Sequence, residues 1–476
     1  MIEVFKALPI TEASRPLMSA ADKCDFAKCG YTEREYLFYG TANVYGQGVA
    51  GIEVLASGPY VNRFMVRFPS DASKASGNVV IEILNASTFM DIDRMWILSK
   101  DYLMRNGDVY IGVSSKPATV ATLKKFDSNR YREIAWPNPR ESQLPPGLLG
   151  NMGGDSSPAT ENGLFWDMLT DLADALRSGS VPLEGIVPKR LYLTGWSQSG
   201  SYMTRYVNDL IPMIQAKRAQ PVFDGYLAAG TGYIVVPGLN QSESPAYIFS
   251  GDIKIKEARQ PFIAVQTESE NARLGGYEAQ QEDSDAAELL YRRYEIPGST
   301  HDSYYNMTEY YLGSDDMWRT GVMLKSPGLD PYPNNYPYEY VFHAVWAHLH
   351  RWVEKGVPAP KVERIAVNAD HYTNECDSYG NAKGGWRQPA IDLPVCTYHP
   401  ISRPLRSDFT MDCYLYGYRE MFPVDRLRKM YGTLEAYRGK VRERSDELVK
   451  EGLLLAEDVE SCVARTTTTA AEAGLD

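Results

Sequence analysis

A doubly wound α/β architecture, with a mostly parallel sheet flanked by helices, follows from three features of this 476-residue chain. From about residue 60 to 355, short apolar β-prone runs alternate with helix-period stretches, the pattern of strand–helix–strand units. One run, Leu191-Tyr192-Leu193-Thr194-Gly195-Trp196-Ser197-Gln198-Ser199-Gly200, passes abruptly from strand-like to helix-like at a serine flanked by small residues. Hydrophobic residues make up 44% and charged residues 23% of the chain, an ordinary balance for a globular protein able to bury a large core.

The elements follow in order. Residues 1–60 form a β-rich N-terminal extension with one expected strand at 35–39. Runs rich in Val, Ile, Tyr, Phe and Leu predict core strands at 63–68, 79–84, 109–113, 190–194, 225–229, 262–266 and 293–296. Helices are expected at 163–177, at 201–210 and at 339–354, where Val341, Ala344, Leu349 and Trp352 share one stripe. A C-terminal extension, 357–476, opens on Val-Pro-Ala-Pro and crosses a Gly/Asn-rich loop to a charged helix near 433–450. Its last dozen residues, low in complexity, are expected to fray.

Strand, tight turn carrying a serine, then helix is the nucleophile elbow of the α/β-hydrolase fold. Small residues at −2 and +2 let strand and helix approach while the turn lifts the hydroxyl clear. Among the three alternating serines, Ser197 has Gly195 two before it and Ser199 two after, and Ser201 lies where the helix has begun. Ser197 is therefore the expected nucleophile. Gln198 then presents its backbone N–H at the helix N-terminus to a developing oxyanion. Trp196, beside the serine, is placed among the substrate-contacting residues.

An elbow serine needs an acid and then a histidine later in the chain. His301 follows the last expected strand through a Pro/Gly/Ser turn and is the candidate base. His343, His348 and His350 lie on the 339–354 helix and read as packing or surface residues, while His371 and His399 read as loop histidines. The acid is sought at the end of the preceding strand, in Gln266-Thr267-Glu268-Ser269-Glu270. Spacing from Thr267 favours Glu270, and Glu268 stays open; Asp283 and Asp285 are more remote candidates. The second oxyanion N–H is assigned by position to the loop after strand 79–84, at Asn85 or Ala86. Gly153-Gly154-Asp155-Ser156 resembles a serine-hydrolase motif but has no strand leading into it, and reads as a surface loop.

The formal charge of −12 and the lack of a basic stripe argue against nucleic acid and anionic membranes as partners. No run approaches the roughly 18 apolar residues of a membrane span. The N-terminus lacks the charged and apolar regions of a signal peptide. Six scattered cysteines suit a cytoplasmic protein with free thiols, although Cys376 and Cys396 are a conceivable pair. Neither a metal nor an organic cofactor is required by this chemistry.

These residues bring a resemblance into view. The segments 30–36, 40–45, 80–85, 126–131, 195–200, 266–270, 298–301 and 377–389 resemble the alpha/beta hydrolase domain family of bacterial and fungal proteins, which are regarded as esterases. The resemblance covers nearly the whole chain and implies one α/β-hydrolase unit over 1–476, with a core at 60–355. It implies a serine-dependent hydrolase using Ser197, an acid at 268 or 270, and His301. The family pattern commonly ends the acid segment in Asp, where Glu270 stands here. The Gly380-Asn381-x-x-Gly384-Gly385-x-Arg387 segment reads either as a structural loop or as a site mouth, with Arg387 meeting an anionic group of the substrate. The expected reaction is cleavage of a small-molecule carboxylic ester through an acyl-enzyme. Alternatives are amide or lactone hydrolysis or acyl transfer with the same triad, and a non-catalytic binding protein. The loops 135–157, 236–256 and 303–335, rich in Tyr, Trp and Met, are expected to line the pocket.

Overall fold

The computed structural model describes residues 1–17, 24–87, 89–140, 157–231, 235–243, 246–247, 254–273, 280–303, 314–321, 332–370, 373–402 and 415–476. The Gly153–Ser156 motif, His371 and most of the three expected pocket loops lie outside the described residues. The chain divides into two units. The first comprises Met1–Phe262, Ser284–Tyr291 and Glu309–Leu324; the second comprises Ile263–Asp283, Arg292–Thr308 and Lys325–Asp476.

In the first unit, the strands are β1 (Ile2–Ala7), β2 (Tyr31–Gly48), β3 (Gly51–Pro69), β4 (Asn78–Ile83), β5 (Val109–Val113), β6 (Arg190–Trp196) and β7 (Gly225–Ala229). They lie side by side in the order β1-β2-β3-β5-β4-β6-β7. The pairs from β1 through β5 are antiparallel, and β5, β4, β6 and β7 run parallel. Strands β4, β5 and β7 are buried along their whole lengths, which is why they read as continuous apolar runs. All seven expected core strands coincide with observed ones, the last two within Ala258–Thr267 and Leu289–Ile296. The N-terminal extension differs from expectation in its length of strand. β2 and β3 pair from Tyr31↔Pro69 to Gly48↔Gly51, because glycines that interrupt the period-2 pattern remain compatible with the ladder.

From β4 the chain passes to β5 on one side and then to β6 on the other. The loops leaving the carboxyl ends of β4 and β6 therefore diverge, the topological position where open parallel sheets bind ligands. Helix α1 (Arg94–Asn106) follows β4. Buried Glu82 on β4 accepts from the Met95 and Trp96 N–H groups at its start (2.8 and 3.0 Å) and from Tyr110 Oη (2.7 Å). Burial pushes the Glu82 carboxyl up to about 8. Helices α2 (Ala118–Phe126) and α3 (Phe165–Arg177) precede β6.

β2 and β3 are also joined by charge. Arg63 on β3 donates to Glu35 (2.5 Å) and Asp91 (2.6 Å), while Arg130 and Tyr131 donate to the same Glu35 at 2.6 and 3.0 Å. These groups are buried, so each charge depends on its partners for the solvation it has lost.

The second unit takes the carboxyl-terminal parts of the last two strands and four long or medium helices: Glu339–Lys355, Val424–Tyr431, Leu434–Glu451 and Val459–Glu472. Val341, Ala344, Leu349 and Trp352 are all buried, as their stripe predicts. Thr433 caps its helix by accepting from the Ala436 N–H (3.2 Å). His343 Nδ1 meets Asp458 Oδ2 at 2.8 Å, and His348 Nε2 donates to the Gly452 carbonyl at 2.7 Å, so these histidines fasten the C-terminal helices. His350 is buried and His399 stacks on Tyr418 at 4.2 Å. The fraying expected of the chain end does not occur. Val459–Glu472 is a helix that buries Cys462, Val463, Thr466, Thr469 and Ala470. Tertiary packing overrides the weak helix propensity of its threonines, two of which bond back to carbonyls four residues earlier. The described cysteines, Cys376 and Cys396 included, are free thiols.

Candidate active site

In the first unit, β6 ends at Trp196 and α4 (Gln198–Arg205) begins at Gln198, leaving Ser197 alone at the corner. Its backbone holds φ 57° and ψ −119°, a conformation that a non-glycine residue adopts only under constraint from its surroundings. The constraint is visible: the Ser197 N–H donates to the Ala229 carbonyl on β7 (2.8 Å), and its carbonyl accepts from Ser201 N (3.1 Å). Gly195 is required by close approach, since a Cβ there would lie 2.9 Å from the Ser199 backbone. From Leu191 to Thr204 every residue is buried except Ser197. Ser199 and Ser201 are 2% and 1% exposed, which removes them as nucleophiles.

The loop after β4 is closed at its base, where Asn85 and Ile92 exchange backbone hydrogen bonds at 3.0 Å each. The Asn85 side chain ties this loop to the elbow: Nδ2 donates to the Trp196 carbonyl (3.0 Å), and Oδ1 accepts from Ser87 N (2.9 Å). Asn85 is thereby corrected as an oxyanion donor, because its own N–H is spent on Ile92. Ala86, buried and adjacent, keeps an N–H with no hydrogen bond among the described residues, as does Gln198 at the start of α4. Phe89, in the same loop, holds φ 59° and stays half-exposed. The sequence carries no sign of that strain.

The expectation that Trp196 touches substrate is also corrected. Its indole is buried, with the Arg94 guanidinium 4.8 Å over the ring and Gly230 packed so closely that a Cβ there would meet Cε2 at 2.5 Å.

In the second unit, the helix Glu268–Arg273 follows directly on Thr267. Glu270, fully buried, sets Oε1 2.6 Å from His301 Nδ1. Its Oε2 accepts from the Thr267 N–H and hydroxyl, both at 2.6 Å. Thr267 and Glu270 form the backward half of a capping box, in which the third helical residue reaches the N–H of the residue before the helix. The Thr267-x-x-Glu270 spacing is thus also the sequence signature of a capped helix start. The carboxylate only accepts, so His301 carries a hydrogen on Nδ1 that it donates to Glu270.

Glu268 faces elsewhere. Its Oε2 accepts from Gly298 N (2.6 Å) and its Oε1 from Asn374 Nδ2 (2.7 Å). Burial, opposed by those two hydrogen bonds, pushes its carboxyl up to about 7. Asp283 is engaged by Arg364 (2.7 Å).

Arg387 is corrected as a substrate contact. Its guanidinium donates to Asp392 (2.6 Å) and to the carbonyls of Ala382 (2.8 Å) and Ile391 (3.2 Å). The glycines of that segment are structural too. Gly384 and Gly385 hold φ 72° and 73°, and Cβ atoms there would meet the Arg364 and Glu295 carbonyls at 2.2 and 2.7 Å.

The parallel sheet of the first unit, with its strand–turn–helix elbow, has the features of an α/β-hydrolase fold. The chain belongs to the Alpha/beta hydrolase domain family, whose model matches residues 4–464. Solved structures similar to it include an alpha-beta serine hydrolase homologue from Coxiella burnetii, at 10% identity and TM-score 0.28, covering 56% of this chain and 92% of that one. A siderophore hydrolase from Aspergillus nidulans has 13% identity and TM-score 0.28, covering 60% and 95%. A glucuronoyl esterase from Solibacter usitatus has 9% identity and TM-score 0.31, covering 67% and 86%. No curated protein matches the chain. Among the described residues, no helix is long and apolar enough to cross a membrane, and no three His, Cys, Asp or Glu side chains gather as a metal site.

Proposed function

We propose that the protein hydrolyses a carboxylic ester of a small molecule, with Ser197 as nucleophile, His301 as base and Glu270 as the orienting acid. The observation that carries this reading is the 2.6 Å contact between Glu270 and His301 Nδ1, the orienting contact that a catalytic imidazole needs. The strained, half-buried Ser197 at the elbow supplies the hydroxyl. Ser197 Oγ attacks the ester carbonyl carbon as its proton passes to His301 Nε2. The tetrahedral oxyanion is held by the N–H groups of Gln198 and Ala86. Collapse expels the alcohol, which takes the proton from His301. Water, deprotonated by the same imidazole, then releases the acid and restores the serine. Glu270 keeps the tautomer and stabilises the imidazolium throughout.

Ser197→Ala tests the reading. It is expected to abolish p-nitrophenyl acetate hydrolysis and labelling by a fluorophosphonate, with the circular dichroism spectrum unchanged. Hydrolysis at the wild-type rate by that variant excludes Ser197 as the nucleophile.

A further inference from the structure

Two glutamates open the same short helix, and the reaction above uses only Glu270. The turn that carries His301 is held at several points in the second unit. Gly298 N–H goes to Glu268 Oε2 (2.6 Å), and the Gly298 carbonyl accepts from Asn334 Nδ2 (2.8 Å). Ser299 Oγ accepts from Glu268 N (3.2 Å) and donates to the Ile296 carbonyl (2.6 Å). The Glu268 carboxylate also reaches Asn374 at 2.7 Å, joining the histidine turn to the C-terminal extension.

We propose that Glu268 is a positioning residue, whose carboxylate grips the Gly298 N–H and the Asn374 amide and so holds the turn that presents His301 to the reaction. This inference rests on the catalytic reading of His301 given above.

Both partners of the Glu268 carboxylate are neutral N–H donors, for which an ionised oxygen is a stronger acceptor than a neutral one. Its other titratable neighbours are Cys376, whose thiol is pushed up by burial and then by the Glu268 charge, and the Glu270–His301 pair on the adjoining turn. Arg293, on the strand Leu289–Ile296 that leads to the histidine turn, bonds to Glu295 and Asn271. A carboxyl placed this way takes up a proton near neutrality, at about 7. The neutral carboxyl is a weaker acceptor than the carboxylate, so both grips loosen on protonation. The sign follows: the Glu268 grip on the turn is stronger above about pH 7 and weaker below it.

Two variants separate the roles. Glu268→Gln offers its carbonyl to Gly298 N–H and its NH2 to the Asn374 oxygen once that amide turns over, so the grip persists but cannot titrate. Glu268→Ala removes it. Expected results are a tenfold or greater fall in kcat for Glu268→Ala with KM within about twofold, and recovery to within about threefold of wild type in Glu268→Gln at pH 8. The acid limb of kcat/KM should be steeper than one proton in wild type and have single-proton slope in Glu268→Gln. A hydrolysis-independent readout is the low-field NMR signal of the His301 Nδ1 proton. It is expected to weaken below pH 7 in wild type, persist in Glu268→Gln and be absent in Glu268→Ala. Identical acid limbs and identical signals in wild type and Glu268→Gln overturn the proposal. Absence of esterase activity in wild type, with the NMR pattern intact, instead overturns the reaction assigned to the triad.

Discussion

Glu268 and Glu270 are two residues apart, carry the same group and are both buried, yet their surroundings divide their tasks. Glu270 bends back to the N–H of Thr267 and meets His301 Nδ1 from there; Glu268 meets only fixed amides. The division has a kinetic consequence. Glu270→Gln presents an amide that no longer compels Nδ1 to hold the hydrogen, and kcat is expected to fall about 10,000-fold. Glu268→Ala should cost far less. Comparing kcat for p-nitrophenyl acetate in the two variants checks the order, and a reversed order assigns the acid to Glu268. Ser197 was separable from its neighbours for a similarly local reason: of three alternating serines, only the one at the corner reaches the surface.

Among the elements, the loop after β4 shows how a strand order becomes chemistry. The chain leaves β4 on one side and returns as β6 on the other, so this loop and the elbow come off neighbouring strand ends. Asn85 then fixes their spacing through the Trp196 carbonyl rather than donating to the oxyanion itself. Asn85→Ala removes a donor from that carbonyl and the acceptor of the Ser87 N–H. It should cost about 1–3 kcal/mol in urea unfolding and lower kcat at least tenfold as Ala86 loses its placement. An unchanged kcat in a folded Asn85→Ala protein removes the loop from the mechanism.

Across the larger fold, buried charge does what apolar packing does elsewhere. Glu35 receives Arg63, Arg130 and Tyr131, joining β2, β3 and the 127–131 turn, while Arg63 also reaches Asp91 in the loop after β4. Glu35→Ala leaves Arg63 with Asp91 alone and Arg130 with backbone carbonyls in place of a carboxylate, and a loss of about 3–5 kcal/mol is expected, read from the urea midpoint by tryptophan fluorescence. A shift below 1 kcal/mol would mean that the network is solvated by other means. The resemblance motifs that lacked a chemical reason find one at this level. Residues 30–36 and 126–131 contribute to this network, and Gly384, Gly385 and Arg387 shape a loop by close approach and internal hydrogen bonds.

Local patterning was sufficient for the core strands and for the strand–turn–helix corner that carries Ser197. Each of these depends on residue type over a few neighbouring positions: continuous apolar runs for strands buried on both faces, and small residues around a tight turn. The full length of β2 and β3 was not legible, because a ladder tolerates glycines that erase the alternation. The helix at the chain end was not legible either, because packing against the rest of its unit, rather than threonine propensity, sustains it. Spacing favoured Glu270, and the folded chain added its contact with His301, spent the Asn85 N–H on Ile92, and committed Trp196 and Arg387 to packing and internal hydrogen bonds. Those outcomes depend on which donor meets which acceptor across stretches of up to 111 residues, as between Asn85 and Trp196. Pairing over such distances leaves no periodic trace in the sequence.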